Sequence, residues 1–252
     1  MILLLDSGNS RLKWVVLDAD SKRAEGALEH SELARLRDAL APQGSISRTV
    51  GTNVAGAEIA TRIAQVLHGV APAAEWQRAR RDCCGVTNLY DSPAQLGADR
   101  WAALIGARTV CTAPCVVVTA GTATTVDLLD RHGVFQGGLI LPGETLMRQS
   151  LAGNTAQLPY ADGRLVAAPR NTADAIVSGC LNAQAGAIER MFARLDEPDA
   201  VCLLNGGAAA SIAPALGIPL RAVDNLVLRG LEVIARCTSN QATDGAGQET
   251  SV

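Results

Sequence analysis

The chain has 252 residues, 48% of them hydrophobic and 19% charged, enough apolar material for one large or two small domains and too much for a disordered or fibrous protein. A formal charge of -3 and a pI near 5.6 provide no basic field for nucleic acid or an anionic membrane surface, so neither partner is expected and any phosphate binding has to be local. Aromatic residues make up 3%, too few for base-stacking platforms or sugar-binding walls.

Ile2 to Leu5 reads as a buried strand; no basic segment precedes it and Asp6 ends it too early for a signal peptide, so the protein is expected in the cytoplasm. Asp6-Ser7-Gly8-Asn9-Ser10 supplies turn residues, and Leu12 to Leu17 is a second strand. Asp18-Ala19-Asp20-Ser21 turns the chain into a weaker third strand around Ala24 to Leu28, after which Ser31 caps a helix to about Ala41. A strand from Ile46 to Val50 and a helix with Ile59, Ile63, Val66 and Leu67 on one face follow. Pro93 starts a helix whose apolar positions include Leu96, Trp101, Leu104 and Ile105, which puts Asp99 and Arg100 in its second turn.

The uncharged stretch from Thr109 to Val126 approaches the ~20 residues of a membrane span, but Pro114, Gly121 and six threonines divide it into a helix end, a loop and a strand. From there the opening order returns. Cys115 to Val118 is a strand, Thr119-Ala120-Gly121-Thr122 a turn, Ala123 to Leu129 a second strand, and Asp130-Arg131-His132-Gly133 leads into a third, Val134 to Leu141. Helices follow near Glu144 to Leu151 and from Thr172 to about Leu195, the latter with Ile176, Cys180, Ala183, Ala187 and Met191 in register. Val201 to Leu204 is a strand ending in Asn205-Gly206-Gly207, and Asp224 caps a last helix carrying Val227, Leu231 and Ile234. The expected organisation is α/β: a two-fold duplication with an N-terminal domain over 1–114, a C-terminal domain over 115–237 and a polar, disordered tail over 238–252. Duplicated architectures of this kind bind ligand between their halves.

Seven cysteines without framework spacing read as reduced thiols, and His30, His68 and His132 stand too far apart to suggest zinc. The chemistry is carried by the turns. Gly8 allows close backbone approach, Asn9 and Ser10 offer donors, Lys13 adds a positive charge, and Asp6 could hold Mg²⁺ through water, although an ordinary hairpin turn would use the same residues. Gly121-Thr122-Ala123-Thr124-Thr125 sits at the equivalent place in the second half, and two such turns make a nucleotide clamp unlike a Walker loop. β-propensity alone explains Thr124 and Thr125 better than it explains Gly121-Thr122.

This arrangement resembles the actin, sugar-kinase and Hsp70 superfamily, with two ribonuclease-H-like βββαβα-type domains around a nucleotide cleft. Within it the chain is most similar to type III pantothenate kinase, on four motifs in order: Asp6-Ser7-Gly8-Asn9-Ser10-Arg11-Leu12-Lys13; Tyr90 with Gly97-Ala98-Asp99-Arg100; Gly121-Thr122-Ala123-Thr124-Thr125-Val126-Asp127; and Asn171-Thr172 with Gly179. The resemblance spans Met1 to about Arg236. It implies transfer of the ATP γ-phosphoryl group to pantothenate, the first step towards coenzyme A, by a homodimer using Mg²⁺ and a monovalent cation, K⁺ or NH₄⁺. Asp6, Ser7, Gly8, Asn9, Ser10, Arg11, Leu12, Lys13, Gly121, Thr122, Gly206 and Gly207 would then lie on ATP, with Gly206 and Gly207 in the adenosine turn. Tyr90, Gly97, Ala98, Asp99, Arg100 and Thr172 would lie on pantothenate, Thr172 reaching substrate held by the other subunit. Asp99 would be the general base, a role a single well-placed carboxylate can fill in phosphoryl transfer.

The chain departs from the family at one place: the second phosphate motif is usually DxGT, and Thr119 replaces its carboxylate. A neutral hydroxyl can coordinate a monovalent cation without neutralising it, so the cation requirement is open, with Asp127 as a candidate to compensate. Two alternatives remain on sequence alone: a polyphosphate or nucleotide phosphatase of the same fold, and a non-catalytic regulatory accessory factor.

Overall fold

The computed structural model describes residues 1–18, 21–155, 158, 160 and 162–244, the side chains of 238–244 excepted. Two compact units emerge: Met1–Val110 together with the chain from Leu226 onward, and Cys111–Asn225.

In the first unit β1 (Ile2–Ser7), β2 (Arg11–Asp18) and β3 (Ser21–Glu29) form an antiparallel meander. Ala19 and Asp20, in the turn expected at Asp18–Ser21, lie outside the described residues. Helix α1 (Arg35–Leu40) follows, then β4 (Arg48–Asn53), which pairs parallel with β1, helix α2 (Ala57–Leu67) and the short strand β5 (Glu75–Trp76). The resulting sheet order is β3-β2-β1-β4-β5. Leu3, Leu5, Leu12, Trp14 and Val16 point from one face of it into a core closed by Leu33, Leu36, Leu40, Ile63 and Leu67. The helix expected to start at Ser31 begins instead at Arg35, after a 3₁₀ turn at His30–Glu32.

A hairpin of β6 (Asp82–Cys83) and β7 (Val86–Asn88), absent from the sequence reading, precedes helix α3 (Ala98–Val110). The helix expected at Pro93 starts only at Ala98. Pro93–Gln95 forms one 3₁₀ turn, Leu96 is extended, and the carbonyl of Gly97 accepts the first helical bond from Trp101 N–H at 2.9 Å. Asp99 therefore stands in the first turn of α3.

Every residue of α3 from Arg100 to Ala107 is buried. A helix so enclosed needs cover beyond the sheet, and the last helix, α7 (Leu226–Asp244), supplies it. Two glycines permit the approach: a Cβ on Gly106 would come 2.1 Å from the Leu226 carbonyl oxygen, and one on Gly230 would come 1.8 Å from that of Ala102. Helix α7, counted with the C-terminal half on sequence, thus packs within the first unit. It also runs through residues 238–244, expected as the start of a disordered tail; residues 245–252 lie outside the described residues.

The second unit repeats the grammar. β8 (Cys115–Ala120), β9 (Ala123–Leu129) and β10 (Val134–Pro142) form the meander, followed by helix α4 (Glu144–Asn154) and helix α5 (Thr172–Phe192). β11 (Val201–Asn205) pairs parallel with β8, α6 (Ala209–Ile212) follows, and β12 (Leu220–Ala222) pairs parallel with β11. Within this unit the strands run β10-β9-β8-β11-β12, the same order as in the first. The apolar stripe expected on α5 does not coincide with its buried surface: Ala183 is exposed and Ala187 half-buried. Val177, Leu181, Ile188 and Met191 face the sheet, whereas Ile176 and Cys180 pack against Met147, Leu151 and Leu158. Among the described residues no helix is long and apolar enough to cross a membrane.

Candidate active site

The first turn owes its geometry to strand register. In the β1–β2 pair Asp6 stands opposite Lys13 and Ser7 opposite Leu12, and the Gly8 N–H closes the turn on the Arg11 carbonyl at 3.1 Å. Parallel pairing of β1 with β4 puts Thr52 beside Asp6, where its hydroxyl donates to Asp6 Oδ1 at 3.1 Å. Alternation divides the expected nucleotide residues. Asn9, Ser10 and Arg11 are exposed; Ser7 and Leu12 are fully buried, the Ser7 hydroxyl without a hydrogen-bond partner and Leu12 in the core. A contact of Ser7 or Leu12 with nucleotide would be through the backbone.

Burial pushes the Asp6 carboxyl up to about 6; Lys13 pulls it down, Asp99 pushes it up, and the Thr52 hydrogen bond pulls it down. Asp99, from α3, is thus close enough for its charge to be felt at Asp6. Its Oδ1 folds back over the helix start and accepts the Arg100 N–H at 2.8 Å. A side chain at 97 would meet that same oxygen at 2.7 Å, so Gly97 leaves the carboxylate its place.

Arg100 is 5% exposed, so the pair Asp99-Arg100 is no solvated surface feature. Its Nη1 donates to the Tyr90 hydroxyl at 3.1 Å, with the guanidinium carbon 5.8 Å from the ring centroid. The loop bearing Tyr90 is pinned by Asn88, a fully buried residue the sequence reading passed over. Its Oδ1 accepts the Tyr90 N–H at 3.0 Å and its Nδ2 donates to the Pro93 carbonyl at 3.1 Å. Thr52 leaves no signal because its partner is 46 residues away; Asn88 leaves none because an asparagine before a loop reads as an ordinary turn residue.

The second unit places a matching turn at its own β8–β9 junction. The Gly121 N–H bonds the Ala123 carbonyl at 3.0 Å, and Gly121 and Thr122 are exposed. Next to it Gly206 follows β11 with φ of +105°, and a Cβ there would lie 2.2 Å from the Ala120 carbonyl oxygen, so only glycine lets the two strand ends meet. Gly207 is exposed beside it. Thr119 pairs with Asn205 on one side and Thr125 on the other; Asn205 Nδ2 lies 3.5 Å from the Thr119 hydroxyl, and the Thr125 hydroxyl is buried without a partner. Asp127, 1% exposed, falls on the same sheet face as Thr119, one cross-strand pair along. Thr172 is the exposed first residue of α5, not its cap. That role belongs to Asn171, whose side chain accepts the Asp174 N–H at 2.8 Å.

Comparison with known proteins settles the lineage. The family model described as type III pantothenate kinase matches residues 2–194. The chain belongs to the type III pantothenate kinase family. It is 62% identical over 237 residues to a type III pantothenate kinase of Aromatoleum aromaticum, covering 94% of this chain and 98% of that one. The corresponding enzyme of an Azoarcus species is 56% identical over 238 residues, covering 93% and 90%. Among solved structures, a putative 2-dehydro-3-deoxygalactonokinase from Sinorhizobium meliloti superposes with a TM-score of 0.59 at 16% identity, covering 94% of this chain and 99% of that one. That likeness and the repeated sheet order make the fold the duplicated ribonuclease-H-like, actin-type ATPase fold. Membership of a kinase family at this identity favours neither the phosphatase nor the accessory-factor alternative.

Proposed function

We propose that this family member transfers the γ-phosphoryl group of ATP to the terminal hydroxyl of pantothenate, giving ADP and 4'-phosphopantothenate at the start of coenzyme A synthesis in the cytoplasm. The observation that carries the assignment of roles is the convergence of Asp6, Lys13 and Asp99 in one unit, with the buried Arg100 and its half-buried partner Tyr90 beside them. The hydroxyl oxygen attacks the γ-phosphorus, the bond to the β-phosphate bridging oxygen breaks, and the hydroxyl proton passes to the Asp99 carboxylate. Lys13 and the backbone of the Gly8 turn hold phosphate oxygens; Gly121, Thr122, Gly206 and Gly207 receive the rest of the nucleotide. Arg100 takes the pantothenate carboxylate, with Tyr90, Gly97 and Ala98 shaping that end.

Asp6 fits Mg²⁺. Burial and the neighbouring Asp99 both disfavour its charge, so a divalent cation held through water relieves a strain that Lys13 offsets only in part. When bound, magnesium supplies neutralisation of the charge on the transferring phosphate. For K⁺ or NH₄⁺, the hydroxyl oxygens of Thr119 and Thr125 fit as ligands, and Asp127 supplies the charge that Thr119 lacks.

The homodimer reading is supported by an apolar groove of about 1170 Å³ in the second unit, lined by Leu146, Met147, Leu151, Ile176 and Gly179, with Thr172 at its edge. A second copy seated there would bring its own Thr172 near the groove of its twin. The test of function is ADP release by purified protein with ATP and Mg²⁺, with and without pantothenate, in Na⁺, K⁺ and NH₄⁺ buffers. Pantothenate-dependent ADP, fastest in K⁺ or NH₄⁺, is the expected result. ADP release indifferent to pantothenate would refute the kinase, and equal rates in the three salts would refute the cation site.

A further inference from the structure

His30 holds the first phosphate turn from outside. Its Nε2 lies 2.8 Å from the Gly8 carbonyl oxygen. A carbonyl only accepts, so the ring carries its proton on Nε2 and donates. The other ring nitrogen, Nδ1, is buried without a hydrogen-bond partner, so the contact to Gly8 is the polar bond that fixes the ring. The backbone of His30 is itself anchored: its carbonyl accepts from Arg62 Nη2, and Leu33, 2% exposed, plugs the core three residues on.

The consequence follows from peptide planarity. In a trans peptide the C=O and the next N–H lie in one plane and point in opposite directions within it. Tying the Gly8 oxygen towards His30 therefore aims the Asn9 N–H away from the ring, in a turn whose Asn9 and Ser10 are exposed. A free Gly8–Asn9 peptide could rotate, because Gly8 has no side chain to restrain it. In the second unit the turn is held one residue further along, the Gly143 N–H bonding the Thr122 carbonyl at 2.9 Å.

We propose that His30 is a positioning residue for nucleotide phosphate, locking the Gly8–Asn9 peptide so that the Asn9 N–H faces a phosphate oxygen of ATP. This rests on the reading of Asp6–Ser10 as the phosphate turn. The test compares His30→Phe, which keeps a ring and loses the donor, with His30→Gln, whose amide restores a donor at similar reach; His30→Leu replaces the Phe variant if that does not fold. For the donor-less variant KM for ATP rises about three- to ten-fold, the worth of one neutral hydrogen bond, while kcat and KM for pantothenate stay within about two-fold. His30→Gln returns KM for ATP to within about two-fold of wild type. An unchanged KM for ATP in the donor-less variant, a uniform loss across all three parameters, or no rescue by Gln overturns the proposal. Lys13→Met separates the two layers: if it also leaves KM for ATP unchanged, the turn itself is not the phosphate site, whereas a raised KM there with none in His30→Phe removes His30 alone.

Discussion

Asp99→Asn isolates the chemical step. The substitution keeps the shape and an oxygen at Oδ1, so the bond from the Arg100 N–H at 2.8 Å and the fit against Gly97 both survive, and the melting temperature should move little. What is lost is proton acceptance. Removing a positioned general base costs about 10²- to 10⁴-fold in kcat, or roughly 3 to 5 kcal/mol of barrier. The charge change works in the opposite direction on nucleotide binding. Asp99 now pushes the Asp6 carboxyl up, so its neutralisation makes Asp6 easier to ionise and removes one negative charge facing the phosphates. ATP affinity with Mg²⁺, measured by titration calorimetry, should be unchanged or tighter, while pantothenate-dependent ADP release falls by at least about 100-fold. A kcat within a few-fold of wild type would remove Asp99 from the mechanism. A matching loss of ATP affinity would mean that its role is structural.

Asp6 gives a signed pH prediction. Its carboxyl is raised to about 6 in the fold, so the folded state binds the proton more tightly than the unfolded chain, and its contribution to stability is present below the ordinary carboxylate range and is lost as pH rises through about 6. Asp6→Asn should therefore raise the melting temperature at pH 8, by up to ~3 kcal/mol of stability, with the gain shrinking towards pH 4, while ATP turnover collapses. Equal melting temperatures at pH 8 would contradict the raised carboxyl. Arg100→Lys keeps the charge and loses the planar guanidinium fork of a buried residue; KM for pantothenate should rise about 10- to 100-fold, as for the loss of a charge-assisted hydrogen bond, with KM for ATP unaffected. Gly179→Arg tests the dimer, because a Cβ there meets nothing within 4 Å and the fold should tolerate it while the groove does not. Sedimentation should then show monomer with reduced pantothenate turnover, and a persistent dimer would move the interface elsewhere.

The parts of the site that the sequence reveals are those made by neighbours along the chain. The Asp6–Lys13 opposition follows from two strands joined by a short turn, because register is then fixed by the turn itself. The same holds for Gly121 and Thr122 in the second unit. Asp99 and Arg100 are recognisable as a motif, yet their place in the helix was misjudged by a turn, since Pro93 advertises a helix start that the extended Leu96 then interrupts. Helix α7 shows the opposite limit. Its apolar face is plain, but nothing local says that the face belongs to α3, and the one trace is a pair of glycines 124 residues apart whose missing side chains only make sense together.

What tunes the site carries no motif of its own. Thr52 reaches Asp6 because β4 joins β1 in parallel, a pairing that requires a crossover and so leaves no mark near either residue. Asn88 matters because it ties Tyr90 to Pro93 across a loop. On α5 a single helical stripe was expected, but the helix buries two faces, one on the sheet and one on α4, and a periodicity argument selects whichever is more regular. Groups that bind or react sit at turns, where close neighbours define them. Their charge and orientation are set by residues outside those motifs, so changing Thr52 should alter the pH dependence and changing Asn88 the KM for pantothenate while leaving the recognisable motifs intact.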